Sequence, residues 1–210
     1  MDKVERKIVF FLLLSIIILS CFLVYKIKSK QKYDKELYNE IYTEYEQLFK
    51  SNEEENKEVK EESKKDNTVY IRVNSQGVEY RVIGEITIPK ISIKYPIIYE
   101  TSEEYLKIAP TKLFGPDINE VGNLCIVGHN FKNKKFFSRL SELDKGDIVL
   151  LSANIGQNME YVVYDKYEID ETDMSCTNQN TNGNIELTLI TCANNKKKRL
   201  VVKCKAKFNK

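Results

Sequence analysis

A single histidine stands in this chain of 210 residues. That excludes every site needing two imidazoles, the HExxH zinc hydrolases and the two-His-one-carboxylate iron centre among them. Five cysteines, Cys21, Cys125, Cys176, Cys192 and Cys204, occur without a CxxC pair, so zinc ribbons and thioredoxin-type exchange are excluded too. An excess of one charge is also missing. Lys and Arg total 33 against 31 Asp and Glu, and a net +2 gives no global field to attract nucleic acid. With 42% apolar and 30% charged residues, the composition is that of one or two globular domains, neither disordered throughout nor polytopic. What remains is metal-free chemistry, or no chemistry.

There is one long hydrophobic run, Ile8 to Tyr25, interrupted only by Ser15 and Ser20. Its eighteen residues are near the minimum for crossing a bilayer and exceed the core of an ordinary signal peptide. No small-x-small cleavage site follows. A lipobox over Ile18 to Cys21 is poorly formed, because Leu19 is unfavourable there and apolar residues continue past Cys21. Residues 8–25 therefore read as an uncleaved transmembrane anchor. Basic residues flank both ends, so charge alone leaves the orientation open.

Beyond the anchor, Leu37, Tyr38, Ile41, Tyr42, Tyr45, Leu48 and Phe49 recur at three- and four-residue steps, the pattern of an amphipathic helix. Two roles fit it equally: docking onto the following domain or a second copy, and a plain stalk. Lys50 to Asn67 has no aromatic residue and one aliphatic, Val59, and reads as a solvated linker. Residues 26–67 are thus a helix and charged linker, and 68–210 a separate domain. That domain, carrying its own core, is expected to fold and act when cut near Thr68.

Short β-type runs bounded by turn residues predict strands near 69–73, 80–88, 93–98, 122–128, 147–152, 159–169, 185–191 and 199–207. Short helices are expected at Thr101 to Ile108, with Thr101 and Glu104 as a capping box, and at Phe136 to Leu143. Eight strands at this spacing predict a mainly β fold, a closed or nearly closed barrel with short helices.

Reactive residues concentrate in two strings. His129 follows Gly128 where the apolar strand of NLCIVGHN ends, a rigid position facing a loop cleft. In NIELTLITCANNKKKRLVV, Thr188, Ile190 and Cys192 share one strand face, while Leu187, Leu189 and Thr191 share the other. If the strands on either side form a hairpin, Arg199 lies beside Cys192 and favours its thiolate. Cys125 and Cys204 lie inside apolar strands and read as core; Cys176, in a polar loop, is expected to be exposed.

TLITC at Thr188 to Cys192, an arginine on the next strand and GH at an upstream strand end resemble the sortase family. The interval from His129 to Cys192 is 63 positions. IGEITIPKISIKYPIIYETSEEYL and FFSRLSELDKGDIVLL resemble the family's opening strands and first helix, and the stretch after its histidine. The resemblance covers roughly Val82 to Ala206 and is specific in combination. It implies a sortase-type eight-stranded barrel, with Cys192 as nucleophile, His129 as general acid/base, Arg199 as stabiliser of substrate and oxyanion, and Thr191 shaping the oxyanion site.

It also implies a cysteine-type transpeptidase of the hydrolase class, without metal or cofactor, that cleaves LPxTG-like sorting signals of surface proteins. The acyl group would pass to a peptidoglycan precursor or another amine. Topology follows: residues 1–7 cytoplasmic, the membrane crossed by 8–25, the barrel outside a Gram-positive cell. The short His-to-Cys interval resembles class D more than class B. Asp170, Glu171 and Asp173, with Asp117 and Glu120, resemble the calcium-responsive loops of some class A members but read as an acidic solvated loop.

A catalytically silent, membrane-tethered barrel that holds a surface protein or an anionic wall polymer is the competing reading. The last fifteen residues, with eight basic side chains and no acid, would supply its contact. An L,D-transpeptidase would need an SHGC-type string that TLITCANN lacks, and papain-like peptidases place Cys before His.

Overall fold

The computed structural model describes residues 3–55, 71–75, 78–131, 135–154, 158–193 and 197–208. Most of the predicted linker, residues 56–67, and Lys196 of the lysine run lie outside them. Helix α1 (Lys3–Glu55) contributes to two compact units, Met1–Asn39 and Glu40–Lys210. Within the first unit, the segment from Ile8 to Tyr25 exposes its large apolar side chains, as at Phe10, Phe11, Ile16 and Leu19. It is long and apolar enough to cross a membrane. Ser15 and Ser20 donate their hydroxyls to the carbonyls of Leu12 and Ile17, at 2.8 and 2.7 Å, so neither needs water or a second partner.

Among the described residues the second unit has nine strands: β1 (Ile71–Ser75), β2 (Val78–Ile88), β3 (Ile93–Ile98), β4 (Thr111–Phe114), β5 (Gly122–Val127), β6 (Ile148–Ala153), β7 (Met159–Asp170), β8 (Ile185–Cys192) and β9 (Lys198–Ala206). They run β1-β2-β3-β4-β5-β8-β9-β7-β6, and β6 returns to β2. The closed ring therefore holds the eight strands β2 to β9, with no edge left inside it. Two neighbours are parallel, β3 with β4 and β5 with β8; the other ring pairs are antiparallel.

Eight strands were expected, but the ring's membership differs by one. The expected first strand is β1, which pairs only with β2 and lies outside the ring. Its place is taken by β4, four residues long and without clear alternation, tied to β3 by a single register pair. Strand β2 serves both ends: Val78 to Val82 pair with β1, and Gly84 to Thr87 with β6. The hand-over is at Gly84, φ +155°, where a Cβ would collide with the Ser152 carbonyl.

The interior is filled from seven of the eight ring strands, β4 excepted, with Ile86, Ile97, Leu124, Ile126, Leu151, Tyr161, Leu187, Leu189 and Val202 buried in one cluster beside Phe137. Helix α2 (Glu103–Leu106) is a single turn whose N-cap is Ser102, accepting from Tyr105 N–H at 3.1 Å. Thr101, the expected cap, instead bonds the Lys112 carbonyl at 2.7 Å and the Thr111 hydroxyl at 2.8 Å, fastening β4. The second expected helix is reduced to one 3₁₀ turn at Leu140–Glu142.

Residues 40–48 of α1 dock on the barrel of their own unit. Ile41 and Tyr45 are 0% and 1% exposed. Tyr45 donates its hydroxyl to Asn154 Oδ1 at 3.4 Å, and Asn154 Nδ2 donates to the Val82 carbonyl at 2.5 Å. Glu46 lies 3.7 Å from Lys94, which also faces Glu85 at 3.3 Å. Burial raises the Glu85 carboxyl pKa, opposed by the Lys94 charge. Of the two roles read for this helix, docking is the one the structure shows. A chain cut at Thr68 thus loses part of its core. Tyr45→Ala should cost about 3 kcal/mol, as for a buried aromatic truncated to a cavity. Denaturant unfolding of Tyr45→Ala against wild type checks this; equal midpoints would mean the helix adds nothing to the barrel.

Candidate active site

The barrel has a second apolar cluster on its outer surface, formed by Cys125, Cys176, Ile190 and Val201, with Leu113, Val127, Tyr167 and Ile169 packed against it. It follows from strand alternation. Leu187 and Leu189 of β8 belong to the interior, so Ile190 and Cys192 face out. Leu124 and Ile126 of β5 point in, while Cys125 and Val127 point out; on β9, Val202 and Cys204 point in and Val201 out.

At one end of this outer face three strand ends meet. Cys192 closes β8 and pairs directly with Arg199 at the start of β9, so the expected hairpin forms. The parallel register of β5 and β8 runs to Val127↔Ile190. Past it, Gly128 N–H donates to the Ile190 carbonyl and Asn130 Nδ2 to the Cys192 carbonyl, which sets His129, between them, beside the end of β8. Residues 63 positions apart in sequence, and a third across the hairpin, thus stand in one row. Cys192 is partly exposed.

His129 is partly buried and held through its backbone and one ring neighbour. Gly128 precedes it because a Cβ there would lie 2.8 Å from the Phe137 ring. The His129 carbonyl accepts from Phe137 N–H at 3.1 Å, and its ring lies 4.7 Å from that of Phe131. Burial lowers its pKa below the ordinary imidazole value; Lys107 adds to this and Glu103 opposes it. Burial thus favours the uncharged imidazole, the form able to take a proton.

Thr191 is 2% exposed and donates its hydroxyl to the Gly128 carbonyl at 2.7 Å. It sits on the inward face of β8, opposite Cys192, and meets the site through the backbone before His129. Two partners were not foreseen. Asn130 Nδ2 donates to the Cys192 carbonyl at 2.7 Å, and Glu171 Oε2 lies 3.4 Å from Arg199 Nη2. Asn130 is adjacent to His129 in sequence, so the string GHN carried a signal; Glu171 carried none.

The other three thiols of the barrel, Cys125, Cys176 and Cys204, are buried by packing. Burial pushes Cys125 up to about 12 and raises Cys204 further. Cys176, expected to be exposed, is buried at 4%. Its carbonyl accepts from Asn123 Nδ2 at 2.9 Å and Lys203 Nζ at 3.3 Å, which pulls the polar loop against β5. Of the acidic residues, Asp117 is bonded to Lys112 at 2.7 Å and Glu171 faces Arg199. Among the described residues no group of three or more His, Cys, Asp or Glu is placed to hold a metal ion.

With one histidine, titration of the imidazole is directly visible by NMR. Lys107→Met should raise its midpoint and Glu103→Gln lower it. Because the folded value is depressed, the group stabilises the fold above the unfolded value of about 6.5. That contribution is lost as pH falls through the folded midpoint. A midpoint that ignores both substitutions would mean that α2 does not face the imidazole.

A family model described as a sortase domain matches residues 86–207. Sortase A of Bacillus anthracis is 33% identical over 132 residues, covering 58% of each chain. Sortase A of Listeria monocytogenes is 27% identical over 112 residues, 53% of this chain and 49% of that protein. The chain thus spans only about half the length of these relatives. The crystal structure of sortase C-1 from Actinomyces oris is similar with a TM-score of 0.55 at 27% identity, covering 61% of this chain and 75% of that one.

Proposed function

The chain belongs to the sortase family, and on that premise we propose that it is a membrane-anchored cysteine transpeptidase of a Gram-positive cell surface. The observation that supports the reading is the meeting of His129, just past β5, with Cys192 at the end of β8 and Arg199 opposite it on β9. The substrate is a surface protein with an LPxTG-like sorting signal. Residues 8–25 cross the membrane, with 1–7 inside and the barrel outside. The short interval between His129 and β8 supports a class D-like layout.

The steps follow from the side chains. As the Cys192 sulfur attacks the threonine carbonyl of the motif, its proton passes to neutral His129. The C–N bond breaks, and the imidazolium returns the proton to the leaving amine. Cys192 keeps the acyl group as a thioester, which a cell-wall precursor or another amine then takes up, regenerating the thiol. Negative charge growing on the carbonyl oxygen is met by the Arg199 guanidinium, whose two parallel N–H bonds an ammonium cannot reproduce. Glu171 holds that guanidinium at the mouth of the site until substrate arrives. Thr191 shapes the site by fixing Gly128.

Incubation with an LPxTG-type peptide library and an amine, read by mass spectrometry, tests this. A covalent adduct on Cys192, absent from Cys192→Ala, is expected; peptide binding without an adduct would mean a silent binding module. Arg199→Lys should lose roughly two to three orders of magnitude, mainly in kcat. Lys198→Ala should stay near wild type. Full activity in Arg199→Lys would remove Arg199 from the mechanism.

A further inference from the structure

The ladder joining β5 to β8 ends in an unusual way. Its last backbone rung runs from Gly128 N–H to the Ile190 carbonyl, 3.1 Å. A parallel ladder continued from there would next use the carbonyls of Gly128 and Cys192 as acceptors, with backbone N–H groups of the facing strand as donors. Here both acceptors take side-chain donors. The Thr191 hydroxyl reaches the Gly128 carbonyl, and the Asn130 amide reaches the Cys192 carbonyl, each at 2.7 Å. Meanwhile the backbone of 129–130 has turned to another partner: Asn130 bridges Phe136, and Phe137 N–H binds the His129 carbonyl.

The two side-chain rungs straddle His129, one on the residue before it and one on the residue after it. A rung made through a side chain ties the two strand ends together where the backbone ladder has stopped. We propose that Asn130 is a positioning residue which, with Thr191 as its counterpart, fixes the separation and orientation of His129 and Cys192. The inference rests on the transpeptidase reading. Asn130 touches the nucleophile's backbone and not the reacting atoms, so it acts through Cys192. Proton transfer needs heavy atoms within roughly 2.6–3.2 Å. A misplacement near 1 Å can cost about 100-fold.

The test uses the full-length chain in detergent, with Asn130→Asp, which keeps the shape but presents no donor to the Cys192 carbonyl. Acylation by an LPxTG-type peptide should fall by about 100-fold in kcat, with KM within about threefold and an unchanged melting midpoint. Iodoacetamide supplies a readout free of substrate. The pH profile of Cys192 alkylation should lose the inflection set by His129. On the other rung, Thr191→Val should lose activity and Thr191→Ser, which restores the hydroxyl, should recover it. Acylation within about twofold of wild type in Asn130→Asp would overturn the proposal. So would a loss matched by a loss of folded protein, or identical behaviour of Thr191→Val and Thr191→Ser. If the wild type gives no acyl adduct, the transpeptidase reading fails instead; an alkylation profile unaltered in Asn130→Asp then still overturns the clamp.

Discussion

The parallel pairing of β5 with β8 is the contact on which the rest of the molecule's chemistry depends. Parallel neighbours cannot be joined by a tight turn. The chain leaves β5, lays β6 against β2 and β7 against β6, and returns as β8 beside β5, with β9 filling the last gap in the ring. Closure of the barrel and assembly of the row at its rim are therefore one event. Arg199 is different in kind, since a hairpin delivers it locally. The site joins one residue placed by topology to two placed by a turn.

Burial sorts the thiols by the same geometry. Cys125 and Cys204 occupy positions where alternation aims them into apolar clusters, and desolvation keeps them protonated. Cys192 stands where the strand runs out, with the hairpin on one side and the end of β5 on the other. Nothing in the side chain distinguishes it from its neighbours; its register does.

Much of this was legible in the sequence because alternation and spacing are local. The inward set Leu187, Leu189 and the outward Cys192 follow from period two alone, and the hairpin to Arg199 from the turn between them. Three features were not legible, each for a physical reason. β4 is short and held by a neighbour rather than by propensity, so no pattern announces it. Cys176 is buried because its carbonyl is bound by Asn123 and Lys203, residues far away in sequence. The cap at Ser102 instead of Thr101 arose because Thr101 was taken up by β4, a tertiary contact overriding a local motif.

The docked helical segment meets the barrel through Glu85 on β2, Lys94 on β3 and Asn154 just past β6. In the ring order, β8 lies four pairings from β2 in either direction, directly across the barrel. A load on the docked segment enters the ring at the wall farthest from Cys192 and divides between two arcs of four ladders each. One arc is antiparallel throughout; the other alternates antiparallel and parallel pairs. The barrel in this sense is a strain-relief fitting, spreading a pull on one wall over many hydrogen bonds before it reaches the sulfur.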